Sequence, residues 1–204
     1  MIWNNRSIVL SRMTGEGKMF QKNYHITDYQ GLPKILDQME ALITDREKAV
    51  LFLFDENFVE ERFLDMLQEI QTALPGLTVV GMTSHNNVFN HTDNISTDTT
   101  FSLLCFEESS FRIVLSDLAK ISEHRAALDI VECLKDAEDV KGIFMLSSGS
   151  PDHQVIMDRI LRENREAVVF GATAAVKNYA MQESASFLIV NDRIYRRAVL
   201  CVIF

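Results

Sequence analysis

A chain of 204 residues, 47% of them hydrophobic and 24% charged, can build a core that needs no staple of disulfides or metal. Its formal net charge of −9 excludes nucleic acid and an anionic membrane as default partners, since both are recruited by basic patches. Cys105, Cys133 and Cys201 stand in apolar contexts with no CxxC spacing, no run of 18 apolar residues exists, and Met1-Ile-Trp-Asn-Asn-Arg6 does not read as a signal peptide, so a cytoplasmic protein with reduced thiols is expected.

Taken in order, Ser7–Met13 reads as a short strand and Thr14–Lys18 as a turn. Apolar residues at 32, 35, 36, 39, 42 and 43 give one helical face over 31–46, with Asp28 as N-cap and Pro33 in the first turn. The unbroken apolar run Ala49–Phe54 is expected of a strand covered on both faces. Asn57 and Glu60 have capping-box spacing, Phe63, Leu67, Ile70 and Leu74 give the stripe of the next helix, and Pro75-Gly76 ends it. Leu77–Val80 returns as a strand, and the helical crossover makes it parallel to the first. Met82–Thr100 is polar and follows that strand, which makes it a candidate binding loop. Apolar runs at 101–106 and 111–115 flank Glu107-Glu-Ser-Ser110, a hairpin signal, and an amphipathic helix follows over 120–136. Gly142–Leu146 is a strand, Ser150 with Pro151 opens a helix, Ala167–Phe170 is a strand, and residues 184–190 and 194–204 close as a hairpin around Asn191-Asp-Arg193.

Leu77-Thr-Val-Val-Gly-Met-Thr-Ser84 and Ala167-Val-Val-Phe-Gly-Ala-Thr-Ala174 resemble one another, and the same order of apolar runs frames each. The fold expected is α/β: a duplicated β-α-β plus hairpin unit forming mixed sheets flanked by helices, with repeats at about 49–117 and 142–204 within one domain over 1–204. The chain ends inside an apolar strand, as a fragment of a longer protein would.

Polar turns follow the inferred parallel strands. Ligands bind α/β sheets outside strand carboxyl ends, where helix N-termini aim N–H groups outward. The expected ligand-binding residues are Asp55, Asn57, Gly81, Thr83, Ser84, His85, Ser147, Ser148, Gly149, Ser150, Gly171 and Thr173. An amino acid or similar small anion suits them: its carboxylate would take helix N–H groups, its ammonium Asp55 or Glu56, and Ser148→Asp would oppose the carboxylate. Gly81 and Gly171 follow bulky residues, which calls for a positive φ, a bulge or a close backbone approach. His85 and His91 with Asp93 and Asp98 do not form a metal-cage spacing, and neither metal nor cofactor is expected. His153, in the first turn of a helix, reads as a solvated cap or an anion contact. Catalysis by Ser147 or Thr173 would need a base and an orienting acid, and no Gly-x-Ser-x-Gly elbow is present, so a hydrolase or transferase is the weaker reading. A ligand-free dimerisation module is the third.

Gly81-Met-Thr-Ser84 resembles the Gly-Cys-Ser-Ser segment of the FIST domain (N-terminal part), Ser148-Gly-Ser150 its Asp-Gly-x-Ser turn, and Gly171-Ala-Thr-Ala174 its Gly-Gly-Ser-Ala segment, within a likeness spanning about 28–204. Met82, Ser148 and Ala172 replace a cysteine, an aspartate and a glycine, and Val176 falls near a common acidic position. The resemblance implies a sensory input domain of a prokaryotic signal-transduction protein that binds small ligands such as amino acids. It also implies an output domain in cis of GGDEF, kinase or chemoreceptor type. A homodimer is a further partner compatible with such a module.

Overall fold

The structure is a computed structural model and describes residues 19–26, 29–56, 60–84, 99–137, 140–175 and 186–204. Expectations for Ser7–Met13, Thr14–Lys18, Asp28, Asn57, His85, His91, Asp93, Asp98 and Val176 lie outside them. The fold is mixed α/β, with two mixed sheets and four α-helices among the described residues.

The first half of the chain gives β1 (Met19–Ile26), α1 (Leu32–Glu40), β2 (Ala49–Asp55), α2 (Glu60–Ala73), β3 (Thr78–Thr83) and β4 (Thr99–Phe106). The second gives β5 (Arg112–Asp117), α3 (Glu123–Lys135), β6 (Gly142–Ser148), α4 (His153–Glu163), β7 (Val168–Thr173), β8 (Leu188–Val190), β9 (Arg193–Tyr195) and β10 (Ala198–Ile203). The sheet orders are β1-β4-β2-β3-β8-β9 and β5-β10-β6-β7. The chain forms two compact units: Met1–Gly81 with His85–Ser109 and Val190–Asp192, and Met82–Ser84 with Ser110–Ile189 and Arg193–Phe204.

In the first unit every residue of β2 is buried, as its apolar run requires. β4 lies antiparallel to both β1 and β2, so that Phe101 stands opposite Tyr24 on one side and Leu53 on the other. Helix α2 buries Phe63, Met66, Leu67 and Ile70 at helical spacing, and the chain leaves it through Gly76 at φ 83°. Helix α1 is shorter than its sequence pattern. It ends at Glu40, and Arg46–Lys48 forms a separate 3-10 turn capped by Asp45.

In the second unit the all-buried β10 pairs antiparallel with β5 and β6, and β6 pairs parallel with β7. Ile143 and Met145 of β6 and Val199, Cys201 and Ile203 of β10 face a core completed by Ile130 of α3 and by Ile156 and Ile160 of α4. Burial pushes the Cys201 thiol up to about 12, which leaves it an inert core residue.

Two sequence expectations are corrected. Glu107–Ser110 is not a hairpin: β4 belongs to the first sheet and β5 to the second, where it pairs with β10. Residues 194–204 are not one strand, since the chain breaks at Arg196-Arg197 and only the short β8 and β9 flank Asn191. Asn191, at φ 55°, donates its backbone N–H to the Val79 carbonyl at 2.7 Å and accepts from the Val79 N–H at 3.0 Å through its side chain. A left-handed asparagine is a usual turn residue for such a tight reversal, and its bonds here tie the turn to β3.

Candidate functional site

In the second unit the carboxyl ends of β6 and β7 carry a compact polar cluster. Ser147 and Thr173 are register partners in the parallel pair. Ser147 is in phase with Ile143 and Met145, and Thr173 with Val169, so both hydroxyls continue the face that lower down packs against α3 and α4. His153, the first residue of α4, meets them: its Nε2 lies 2.7 Å from Ser147 Oγ and 3.4 Å from Thr173 Oγ1, and the two hydroxyl oxygens are 3.0 Å apart. Ser147 is buried and Thr173 exposed, so the cluster has an inner end and a solvent end.

The turn that delivers His153 is unusual in its backbone. Gly149 and Ser150 both take positive φ, 71° and 50°. Two consecutive left-handed residues fold the chain back and delay the helix, so the N-cap is Asp152 rather than the expected Ser150. Asp152 Oδ1 accepts from the N–H groups of Gln154 and Val155 at 3.1 and 3.3 Å. Those donors are therefore taken by the chain's own carboxylate, which alters the expectation that they would receive a ligand anion. The turn is also fixed from outside. Ser148 Oγ donates to the Tyr195 carbonyl at 3.0 Å, and the Gly149 Cα faces Arg196 and Arg197 so closely that a side chain would not fit. Arg197 in turn reaches Glu123 at 3.0 Å, where a backbone N–H and then this guanidinium hold the carboxyl below its usual range.

The other expected ligand residues divide clearly. Thr83 belongs to the second unit and is fully buried. Its Oγ1 accepts from the Phe187 N–H at 3.0 Å, its own N–H donates to the Phe187 carbonyl, and its carbonyl accepts from Ala175. With Ala174 N–H bonded to the Ser147 carbonyl at 2.7 Å, the Thr83, Ser147 and Thr173 segments do come together, but the Thr83 hydroxyl serves the backbone. Ser84 is half-buried beside it. Asp55 and Gly81 belong to the first unit, where Thr99 Oγ1 donates to the buried Asp55 at 3.5 Å. Ser148, with its hydroxyl committed to Tyr195, is a structural tether, so Ser148→Asp would report on folding as well as binding. Glycines 81 and 171 have no positive φ, and close approach is their cause: a Cβ at either would overlap the backbone of Leu53 or Met145 on the neighbouring strand.

His153 is the residue whose place in the cluster the sequence did not reveal. The available signal was its position directly after the Ser147–Ser150 turn, which puts the first helical residue back over the strand end. Among the described residues no group of three or more His, Cys, Asp or Glu could hold a metal ion. Also among them, no helix is long and apolar enough to cross a membrane.

A mixed α/β protein with polar turns gathered at the end of a parallel strand pair is a frame for binding small molecules. The family model of the FIST N domain matches residues 30–204, and the chain belongs to that family, whose members are sensory domains of signal-transduction proteins. No curated protein matches the chain.

Proposed function

We propose that this chain is a cytoplasmic small-ligand-sensing input domain whose site is the Ser147–His153–Thr173 cluster, with an amino acid or small carboxylate as ligand and an output domain in cis. The observation that carries this reading is the pair of in-register hydroxyls bridged by an imidazole at the carboxyl end of a parallel strand pair, in a member of a sensory family. Thr173 Oγ1 is the exposed end of the cluster and supplies a hydroxyl to a ligand carboxylate. Asp152 at the adjacent cap matches an ammonium, taking the part the sequence had given to Asp55 or Glu56. The equivalent orders β1-β4-β2-β3 and β5-β10-β6-β7 support an internal repeat that starts one strand earlier than the apolar runs suggested, at β1 and at β5.

The test is a thermal-shift screen of the 20 common amino acids and simple dicarboxylates (a panel of about that size suffices for a ligand that prefers the native state). A ligand at a hundred times its Kd should raise Tm by about 5–10 °C for a chain of this size. Thr173→Val and His153→Ala should abolish that shift. No response across the panel, or a full shift retained in Thr173→Val, would remove the assignment.

One distance favours a second reading. With Ser147 Oγ 2.7 Å from His153 Nε2, a hydrolase or transferase would have its nucleophile and base in place. Against it, Ser147 is only 1% exposed, and among the described residues no carboxylate bonds the imidazole Nδ1. Covalent labelling of Ser147 by an alkyl fluorophosphonate, absent in Ser147→Ala, would move the assignment to this reading.

A further inference from the structure

We infer that β7 is the surface through which two copies of this chain pair, edge to edge and antiparallel. Strand β7 is outermost in the order β5-β10-β6-β7, and among the described residues its far edge carries no strand. β3, the strand reached by the corresponding crossover in the first half, has β8 on its far side. Natural edges are blunted by lysine, proline, bulges or a covering segment. Residues Val168-Val-Phe-Gly-Ala-Thr173 contain no charge and no proline. Their exposure is also unusual. Val168 is 64% and Phe170 51% exposed, the two most exposed large apolar side chains among the described residues, and they lie two apart on one face of one strand. Phe170 is held in place by Phe144 on β6, with ring centroids 5.2 Å apart.

A second copy is the occupant this edge fits. The chain is strongly acidic overall, yet the six-residue edge is neutral, so two copies can meet there with no like charges opposed. An acidic or basic partner would find no counter-charge along the strand. Place a two-fold axis normal to the sheet through Phe170, and Phe170 stands across from the partner's Phe170, Val168 from the partner's Ala172, and Val169 from the partner's Gly171. The two aromatic rings then meet on one face at the centre of the pairing and cover one another. Val168 and the partner's Ala172 extend the apolar contact along that face. Because the pairing strand is short, the dimer is weak, with a Kd on the order of tens of micromolar.

Sedimentation velocity on the full chain tests this without any ligand, so its outcome is separate from that of the sensor assignment. The wild type should pass from monomer to dimer between about 5 and 500 μM. Phe170→Lys and Val168→Lys should each raise the dimer Kd at least tenfold, as edge lysines do, while circular dichroism shows an unchanged fold. Leu161→Lys, at a 42% exposed apolar site on α4, should leave the dimer intact. A wild type that stays monomeric throughout, or lysine variants that dimerise like the wild type, would overturn the inference.

Discussion

Gly171→Ala and Gly81→Ala should each destabilise the protein by about 3 kcal/mol or more, lowering Tm by at least 6 °C or so. In β7 a Cβ at Gly171 would lie 2.6 Å from the Met145 carbonyl carbon and overlap its oxygen; in β3 a Cβ at Gly81 would lie 2.8 Å from the Leu53 carbonyl carbon and again overlap the oxygen. Backbone atoms inside a hydrogen-bonded sheet cannot give way as a side-chain tip can. The added methyl must push the strand from its neighbour and break ladder hydrogen bonds. Gly142→Ala is the control, because a Cβ there would meet the Phe170 ring at 3.5 Å and the Val168 carbonyl oxygen at 3.8 Å, both ordinary contacts, and the cost should stay within about 1 kcal/mol. Urea unfolding of the three variants separates the cases. If Gly171→Ala unfolds at the wild-type midpoint, the strands are not as close as described.

The second large effect is expected at Gly149. With φ at 71°, any Cβ there carries the left-handed penalty of about 1–2 kcal/mol. The same Cβ would sit 2.9 Å from the Arg196 carbonyl oxygen and 3.0 Å from the Arg197 Cα, so overlap adds to the strain. Together these should make Gly149→Ala cost about 2–4 kcal/mol. The damage should also reach the site. The turn holds Ser148 on Tyr195 and places His153 over Ser147, so loosening it separates the imidazole from the two hydroxyls. Faster amide exchange over 147–155 and loss of any ligand-induced melting shift should accompany the drop in stability. Ser150→Gly keeps the left-handed pair and relieves its side-chain strain, so it should remain within about 1 kcal/mol of wild type. Equal stability of Gly149→Ala and wild type would show that the turn is not clamped.

By itself the sequence determined most of the elements and the position of the polar turns. The run at 49–54, the stripe from Phe63 to Leu74 and the β-α-β order around Ser147 are local patterns, and burial of one face is enough to specify them. Gly81 and Gly171 were legible too, because a glycine inside a run of bulky strand residues has few causes, although only the packing of neighbouring strands chose close approach over positive φ. β1 was missed, since an edge-type strand with only Tyr24 and Ile26 buried leaves no alternation to read. The tertiary structure alone decided which strands pair: β4 and β5 are neighbours in sequence, yet β4 sits between β1 and β2, and β5 pairs with β10. It also decided what each hydroxyl does. Thr83 and Ser148 spend theirs on the backbone of Phe187 and Tyr195, whereas Ser147 and Thr173 share His153. Periodicity records which face of a segment is buried. It carries no information about a hydrogen-bond partner far away in the chain, and that partner is what separates a hydroxyl tied to the backbone from one shared with an imidazole.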